Sequence, residues 1–517
     1  MSASDTSRLA TNTAMLFMRQ IFTIVINLFT VRVLLNQLGI EDFAIYNVIL
    51  SVVMLGSFLT LSLSTIIQRY FAFAMGSSSQ FTLKQVHDAG LLLSIGAALV
   101  SLVLLATAGT WFVSSELVIA PDRFEAAQIL FYLLCGAFAL SIFSTFHSSV
   151  ILAHEDMHAY AWISIADAVL RLGAAVALVF LDAGQLVTYG VLLVVVALIL
   201  GINYFAYCVR KYEECRIASI RLEIPVMRNM LSFGGWTMFG QLTTVSRSQA
   251  VTILINQAFS PATVAARAIA TVVSTQLLAF SRNFSSALHP PIIKAYASGE
   301  AERTYEFVFF GSKTTFYLVW MASLPLIAVA PGALRIWLGD PPSEAVLFTQ
   351  LALVENAIVA ISLPLMTIAR ATGKIRLYEL TLGTLQALVL VLSWVSILAG
   401  APAYVVYIIA IGINLVMYGV RIWLAKRLAD LPIASYFRRV LAPVLAVIGT
   451  SGAVVWLALS SVPEAGDLAF TPTALSVVAL IFAATPLAVL AFGISASERA
   501  IITQAIKKKL FKTGDTQ

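Results

Sequence analysis

Charge is scarce in this sequence. Only 11% of the 517 residues are Asp, Glu, Lys or Arg, against about 25% in ordinary soluble domains. That shortage excludes a soluble globular enzyme and a disordered chain, since too little polar surface exists to face water. Cysteine is rare too. Cys135, Cys208 and Cys215 are an odd number without metal-ligand spacing, so they indicate neither a disulfide framework nor a zinc site. There is no glycine-rich phosphate loop followed by lysine, no serine elbow and no pair of aqueous carboxylates, which excludes an ATPase module and leaves no hydrolytic centre. His147, His154 and His158 gather near one loop, His154-Glu155-Asp156-Met157-His158. Their spacing resembles a metal site only loosely, and a solvated loop is the expectation.

What the chain has instead is apolar length. Hydrophobic residues make up 60% of it, and its mean hydropathy is +0.92. About 20 apolar residues cross a bilayer core, and fourteen such segments follow one another from 14–38 to 471–493. The twelfth, 403–420, is short, so a count of thirteen stays open. Each is too long and too poorly alternating for a barrel strand. Residues 1–13 are polar and carry one basic residue, Arg8. The first segment therefore reads as a retained membrane helix, not a cleaved signal.

Lysine and arginine set the orientation. With the N-terminus in the cytoplasm, 23 of the 32 basic residues fall in inner loops and tail, and two, Arg123 and Arg335, in outer loops. This is a strong positive-inside bias, and it places the Lys507-Lys508-Lys509 tail inside as well. The net charge of +6 is thus a topology signal and not a nucleic-acid one. No loop is long enough to fold as a soluble catalytic domain.

An internal repeat runs at an offset of 220 residues. Leu34-Leu35-Asn36-Gln37 aligns with Leu254-Ile255-Asn256-Gln257, and Ser51-Val52-Val53 with Thr271-Val272-Val273. Six helices separate the copies, so they run parallel, one of the repeat types of secondary transporters. The fold expectation is an all-α polytopic membrane protein of about fourteen helices, in two pseudo-symmetric six-helix lobes plus a C-terminal pair. The boundaries are 1–207 for the N-lobe, 208–228 for a solvated cytoplasmic hinge and 229–425 for the C-lobe. An extra helix pair at 426–493 and a basic cytoplasmic tail at 494–517 complete the chain.

Seven basic residues lie inside the spans: Arg19, Arg32, Arg171, Arg247, Arg267, Arg282 and Lys313. Only Asp167 and Glu355 lie equally deep. An intramembrane charge costs about 2.5–3.5 kcal/mol on insertion scales, so each needs a partner, a carbonyl, water or an anionic ligand. Arg19, Arg32 and Lys313 either snorkel to an interface or line a cavity. Asp167 and Arg171, four apart on one helix, are spaced to pair. Arg247 sits in the polar run Thr243-Thr244-Val245-Ser246-Arg247-Ser248-Gln249, intolerable against lipid, and therefore reads as cavity-lining. Arg267 and Arg282 are candidates for the same cavity. Glu355 is either an ion-coupling acid or a structural partner of an arginine. The positive surplus favours an anion such as pyrophosphate, which suits the arginine fork. Gly234-Gly235, Gly240, Pro325, Pro364, Pro443 and Pro486 mark places where helices can bend.

Several stretches resemble bacterial polysaccharide flippases. They are Leu35-Asn36-Gln37-Leu38-Gly39-Ile40-Glu41-Asp42-Phe43-Ala44-Ile45-Tyr46-Asn47, Gln68-Arg69-Tyr70-Phe71, Ala153-His154-Glu155, Ser232-Phe233-Gly234-Gly235-Trp236, Ala265-Ala266-Arg267 and Pro290-Pro291-Ile292-Ile293-Lys294. The resemblance is to the lipopolysaccharide or O-antigen branch of the multidrug/oligosaccharidyl-lipid/polysaccharide exporter superfamily, strongest over 30–300. It implies a non-enzymatic flippase of the bacterial inner membrane, with both termini cytoplasmic. Such a protein moves undecaprenyl-pyrophosphate-linked oligosaccharide (an O-antigen, capsule or exopolysaccharide repeat) by alternating access around a cationic cavity. Substrate contact carries over to Arg247 and Arg267 first, then to Arg19 and Arg282. Asp167, Arg171 and Glu355 stand as coupling or structural charges. No cofactor or metal is implied. The driving energy would come from a proton or sodium gradient, the membrane potential or the substrate gradient. The partners implied are the lipid-linked glycan, the bilayer, and a polymerase or glycosyltransferases. A lipid II flippase is the main alternative; a drug/cation antiporter and a membrane glycosyltransferase or polymerase fit less well.

Overall fold

The computed structural model describes residues 3–75, 81–181, 184–216, 220–372, 375–460 and 472–494. The basic tail beyond residue 494 and residues 217–219 of the expected hinge lie outside them. The described chain is helical throughout. The helices are α1 (Ala3–Met54), α2 (Ser57–Ala74), α3 (Leu83–Leu104), α4 (Thr110–Ser115), α5 (Phe124–Ala153) and α6 (Met157–Ala177). Next come α7 (Gln185–Lys211), α8 (Ile224–Ala258), α9 (Pro261–Ala297), α10 (Ala301–Leu338), α11 (Ala345–Ile361) and α12 (Leu363–Ala371). The chain continues with α13 (Ile375–Leu398), α14 (Val405–Ala429), α15 (Ile433–Tyr436), α16 (Ala442–Ser460) and α17 (Pro472–Ala488).

Among the described residues, eleven helices are long and apolar enough to cross a membrane. All fourteen expected segments still fall on helix. One of the eleven, Met18–Met54, holds the first segment and the start of the second, joined through a kink at Gly39, whose φ is +71°. α8, which carries the polar run around Arg247, is not among the eleven. Exposed Trp111, Trp162, Trp394, Trp423 and Trp456 sit near helix ends, where an interfacial aromatic belt belongs.

The helix breaks have local causes. Gly39 tolerates a positive φ because it has no Cβ. A break of a different kind, with extended backbone at Phe259 after α8, stands at the 220-residue offset of the sequence repeat. Pro364 opens α12 just after the interruption at Ser362. Pro443 follows a wide π turn over Phe437–Leu441, where the missing proline N–H leaves a carbonyl that regular helix would have used. The α8 glycines behave differently from expectation. α8 stays helical across them, and two of them serve close packing: a Cβ on Gly234 would lie 2.5 Å from Cδ1 of buried Ile66, and Gly240 lies against the Glu379 carboxylate, whereas a Cβ on Gly235 would meet nothing within 4 Å.

Contacts divide the chain into two compact units. The first comprises residues 1–273, 340–348 and 375–413. Within it α5 packs on α2, α3 and α7, α1 packs on α6, and α8 on α2 and α13. The second comprises 274–339, 349–374 and 414–517. Its core gathers Phe309, Phe316, Tyr317, Leu365 and Tyr436, with α10 packed on α12, α16 and α17.

Candidate functional site

α6 assembles one polar face in the first unit. Tyr160, Ser164, Asp167 and Arg171 recur at intervals of four, three and four, which places them on one side of a helix. Arg171 Nε donates to Asp167 Oδ1 at 2.6 Å, with both side chains part-exposed. They line a partly open cavity of about 400 Å³ flanked by the facing sides of α1, α5 and α7. α5 contributes Ser141, Ser144, Thr145 and Ser148, and Tyr46 and Tyr204 complete its polar wall. Arg19 of α1 joins this group: its guanidinium lies 5.0 Å from the centre of the Tyr160 ring, a cation–π distance. Its Nε is buried and makes no hydrogen bond among the described residues.

A second arginine site lies on the α8–α9 hairpin of the same unit. Arg267 Nε donates to Thr252 Oγ1 at 2.9 Å and Nη2 to the Ser248 carbonyl at 3.1 Å. Its guanidinium also stands 5.6 Å from the Tyr407 ring centre. Ser248 belongs to the polar run of α8, so Arg267 of α9 is anchored on the backbone of that run; the Arg247 Nε is buried. The repeated Asn-Gln dipeptide has a structural task here. Asn256 bonds both the N–H and the carbonyl of Val118, and Gln257 donates to the Glu116 carbonyl at 3.1 Å.

Arg282 and Glu355 belong to the second unit. Arg282 is exposed on α9, and Glu355 accepts from Asn414 at 3.0 Å. Arg421, placed by its position in the sequence in an inner loop, is only 5% exposed and donates to Ser362 at the break before α12 at 2.6 Å. Lys313 is likewise buried and lines an apolar cleft of about 200 Å³ with Tyr317 and the turn after α17. The α5 hydroxyl stripe and Glu379 also went unmarked in the sequence reading. The stripe was recoverable from its spacing of three and four; Glu379 sat one residue outside its expected span and gave no signal.

The segment 208–216 is a docked strap and not a solvated hinge. Lys84 Nζ donates to the Glu214 and Arg216 carbonyls, and Asp88 accepts from the Arg221 N–H at 3.1 Å. His154 bonds Glu214 at 2.7 Å and stacks on Tyr212 with ring centres 4.1 Å apart. Asp156 receives Lys211 and Tyr207. The solvated-loop reading holds for Glu155 and His158, which are exposed, and fails for His154 because these partners hold it.

Burial is the largest single influence on Glu214 and opposes its charge, but the His154 hydrogen bond, a backbone N–H and the nearby His154 and His87 together outweigh it and hold the carboxyl below its ordinary 4.5. Burial likewise opposes Asp156, whose bonds from Lys211 and Tyr207 hold it below 3.8. Carboxyls lowered by folding stabilise the folded state fully above their unfolded values and lose that contribution as pH falls through the folded ones. The melting temperature of the detergent-solubilised protein should therefore fall on acidification below about pH 4.5. Glu214→Gln should lower it already at pH 7, by about 1 kcal/mol of stability, and shrink the acid-induced loss. A Gln variant with the wild-type pH profile would show that the strap does not depend on this pair.

Residues 9–295, more than half of the chain, match the model of a family described as polysaccharide biosynthesis protein. The chain belongs to this family. The polysaccharide biosynthesis family member also shares its fold with solved transporters. It matches the lipid II flippase MurJ in an inward closed conformation with a TM-score of 0.66, covering 95% of this chain and 100% of that one at 12% identity. A MATE in the bent conformation gives 0.61, with 83% and 96% covered at 13% identity. An inward-facing multidrug resistance MATE family transporter of the MOP superfamily gives 0.59, with 79% and 95% covered at 13% identity. At such identities the likeness is one of fold. No curated protein matches the chain.

Proposed function

We propose that this family member is a non-enzymatic flippase of the bacterial inner membrane, with both termini in the cytoplasm. Its substrate is an undecaprenyl-pyrophosphate-linked oligosaccharide, such as an O-antigen, capsule or exopolysaccharide repeat, carried from the inner to the outer leaflet. The observation that carries this reading is the arginine surplus inside the spans of a polysaccharide-family chain, with Arg267 held as an anchored fork and Arg19 beside a polar cavity. A guanidinium pairs two N–H groups with two phosphate oxygens. In a low-dielectric setting that offsets the cost of taking a pyrophosphate out of water.

Translocation proceeds by alternating access of two six-helix bundles, 1–207 and 229–425, while the polyprenyl tail stays in lipid. The cleft at Lys313, beside the turn after α17, suits a tail running along the extra pair. Asp167 or Glu355 is the group through which a proton or sodium gradient would act. Glycosyltransferases that build the glycan and a polymerase that consumes it are the natural partners.

The likeness to MurJ over 95% of the chain favours a second reading, lipid II translocation. Depletion of the protein in its host separates the two. A membrane-impermeant lectin or glycosidase applied to spheroplasts should find the lipid-linked repeat unit trapped on the cytoplasmic face. Trapped lipid II would transfer the assignment to the second reading. Accumulation of repeat units on the outer face would overturn flipping altogether.

A further inference from the structure

The α5–α6–α7 cavity has a one-sided hydrogen-bonding character. Ser141 and Ser144 donate to the carbonyls of Phe138 and Leu140 at 2.7 and 3.2 Å. Thr145 and Ser148 donate to those of Ser141 and Thr145 at 2.8 and 3.0 Å. Ser164 donates to the carbonyl of Tyr160 at 2.7 Å. A hydroxyl has one proton and two lone pairs. All five protons are spent on the helices' own backbones, so the oxygens meet the cavity as acceptors. Asp167 adds a carboxylate, steadied by Arg171 at one oxygen.

Such a wall calls for a ligand rich in donors. A bare cation is disfavoured, because Arg171 lies in the cavity and Arg19 beside it on Tyr160, two positive charges against one carboxylate. An anion would face those acceptor oxygens and the Asp167 carboxylate, with donors only from the arginines and the hydroxyls of Tyr46, Tyr160 and Tyr204. A neutral polyol fits both conditions: its hydroxyls donate to the five oxygens and to Asp167, and they accept in turn from Arg171. The rings of Tyr46 and Tyr204, which line the same cavity, offer apolar surface to the C–H face of a sugar, while that of Tyr160 carries Arg19. The volume, about 400 Å³, falls in the small-ligand range of about 300–1,000 Å³, room for a monosaccharide unit and not for a whole repeat.

We propose that this cavity is a headgroup subsite for a neutral, hydroxyl-rich sugar ring of the lipid-linked glycan, seated while Arg19 holds the adjoining phosphate. The proposal rests on the reading of the protein as a glycan flippase and sharpens it. The wall discriminates against a uronic acid, whose carboxylate would face acceptor oxygens.

The test uses the full chain in nanodiscs and three short-chain polyprenyl pyrophosphate probes, titrated calorimetrically: one bare, one carrying a neutral hexose and one carrying a hexuronic acid. The hexose probe should bind about tenfold more tightly than the bare one. The double substitution Ser144→Ala with Ser148→Ala, which removes only bonds within α5, should erase about that factor and leave the bare probe unchanged. Equal binding of the bare and hexose probes would overturn the subsite and leave the flippase reading intact. Tightest binding of the hexuronic probe would overturn the neutral-sugar assignment. Failure of the wild type to bind any probe would overturn the flippase reading beneath it.

Discussion

Arg267→Ala should cut translocation of the lipid-linked glycan at least tenfold while the protein still inserts and accumulates normally. The side chain offers five N–H donors. Two of them fix it to Thr252 and to the Ser248 carbonyl, so the guanidinium is oriented before substrate arrives. An oriented fork loses little freedom on binding, which is how preorganised groups gain affinity. A charge-assisted hydrogen bond contributes about 1.5–3 kcal/mol, or roughly 10- to 100-fold. Arg267→Lys separates charge from geometry. Lysine keeps the positive charge but cannot hold both anchors and present a planar pair of donors. It should recover only part of the flux, whereas full recovery would mean that charge alone matters. Leaflet-resolved lectin labelling gives the flux, and Western quantification of membranes gives insertion. Wild-type flux in Arg267→Ala would remove this residue from the substrate path.

Helix positions were legible in the sequence because their cause is local: about 20 apolar residues can do little else in a bilayer. The breaks at Gly39 and Phe259 fall at the 220-residue offset of the sequence repeat. The Asp167–Arg171 pair follows from helical spacing alone. What escaped is what depends on packing. Nothing in the order of residues shows that Arg421 turns inward to meet Ser362, or that residues 212–216 fold back on Lys84 and His154. Gly234 and Gly240 look like hinges in a list of residues. Only the approach of Ile66 and Glu379 shows that they are there to let neighbours in. The α5 hydroxyl stripe could be read from its spacing of three and four, but its acceptor character could not, because that lies in the direction of the protons, which an alphabet of residues does not record.

Gly311→Val should destabilise the second unit more than any other glycine change on α10. A Cβ at Gly311 would stand 2.8 Å from Cδ1 of Leu288 and 3.0 Å from Cγ of Pro364. The leucine tip can swing, but the proline ring at the start of α12 has no rotamer to escape into. Membrane helices rely on small residues where backbones come close, and α10 meets α12 here. Around the contact lies a buried polar knot. Thr315 Oγ1 shares its one proton between the Gly311 and Ala360 carbonyls at 2.9 and 2.8 Å, and Ser281 donates to the Thr315 carbonyl at 2.6 Å. Pushing α10 away both overpacks the contact, at about 1–3 kcal/mol, and stretches the Thr315–Ala360 bond, at about 1 kcal/mol. The expected loss is about 2–4 kcal/mol, read as a fall in detergent melting temperature and in the amount of protein in the membrane. Gly332 supplies the control. It lies on the same helix with nothing within 4 Å of a built Cβ, so Gly332→Ala should be neutral or slightly stabilising through helix propensity. Equal effects at the two positions would mean that glycine matters on α10 for backbone freedom and not for the approach of α12. A loss confined to Gly311 identifies the contact with Pro364 as the reason.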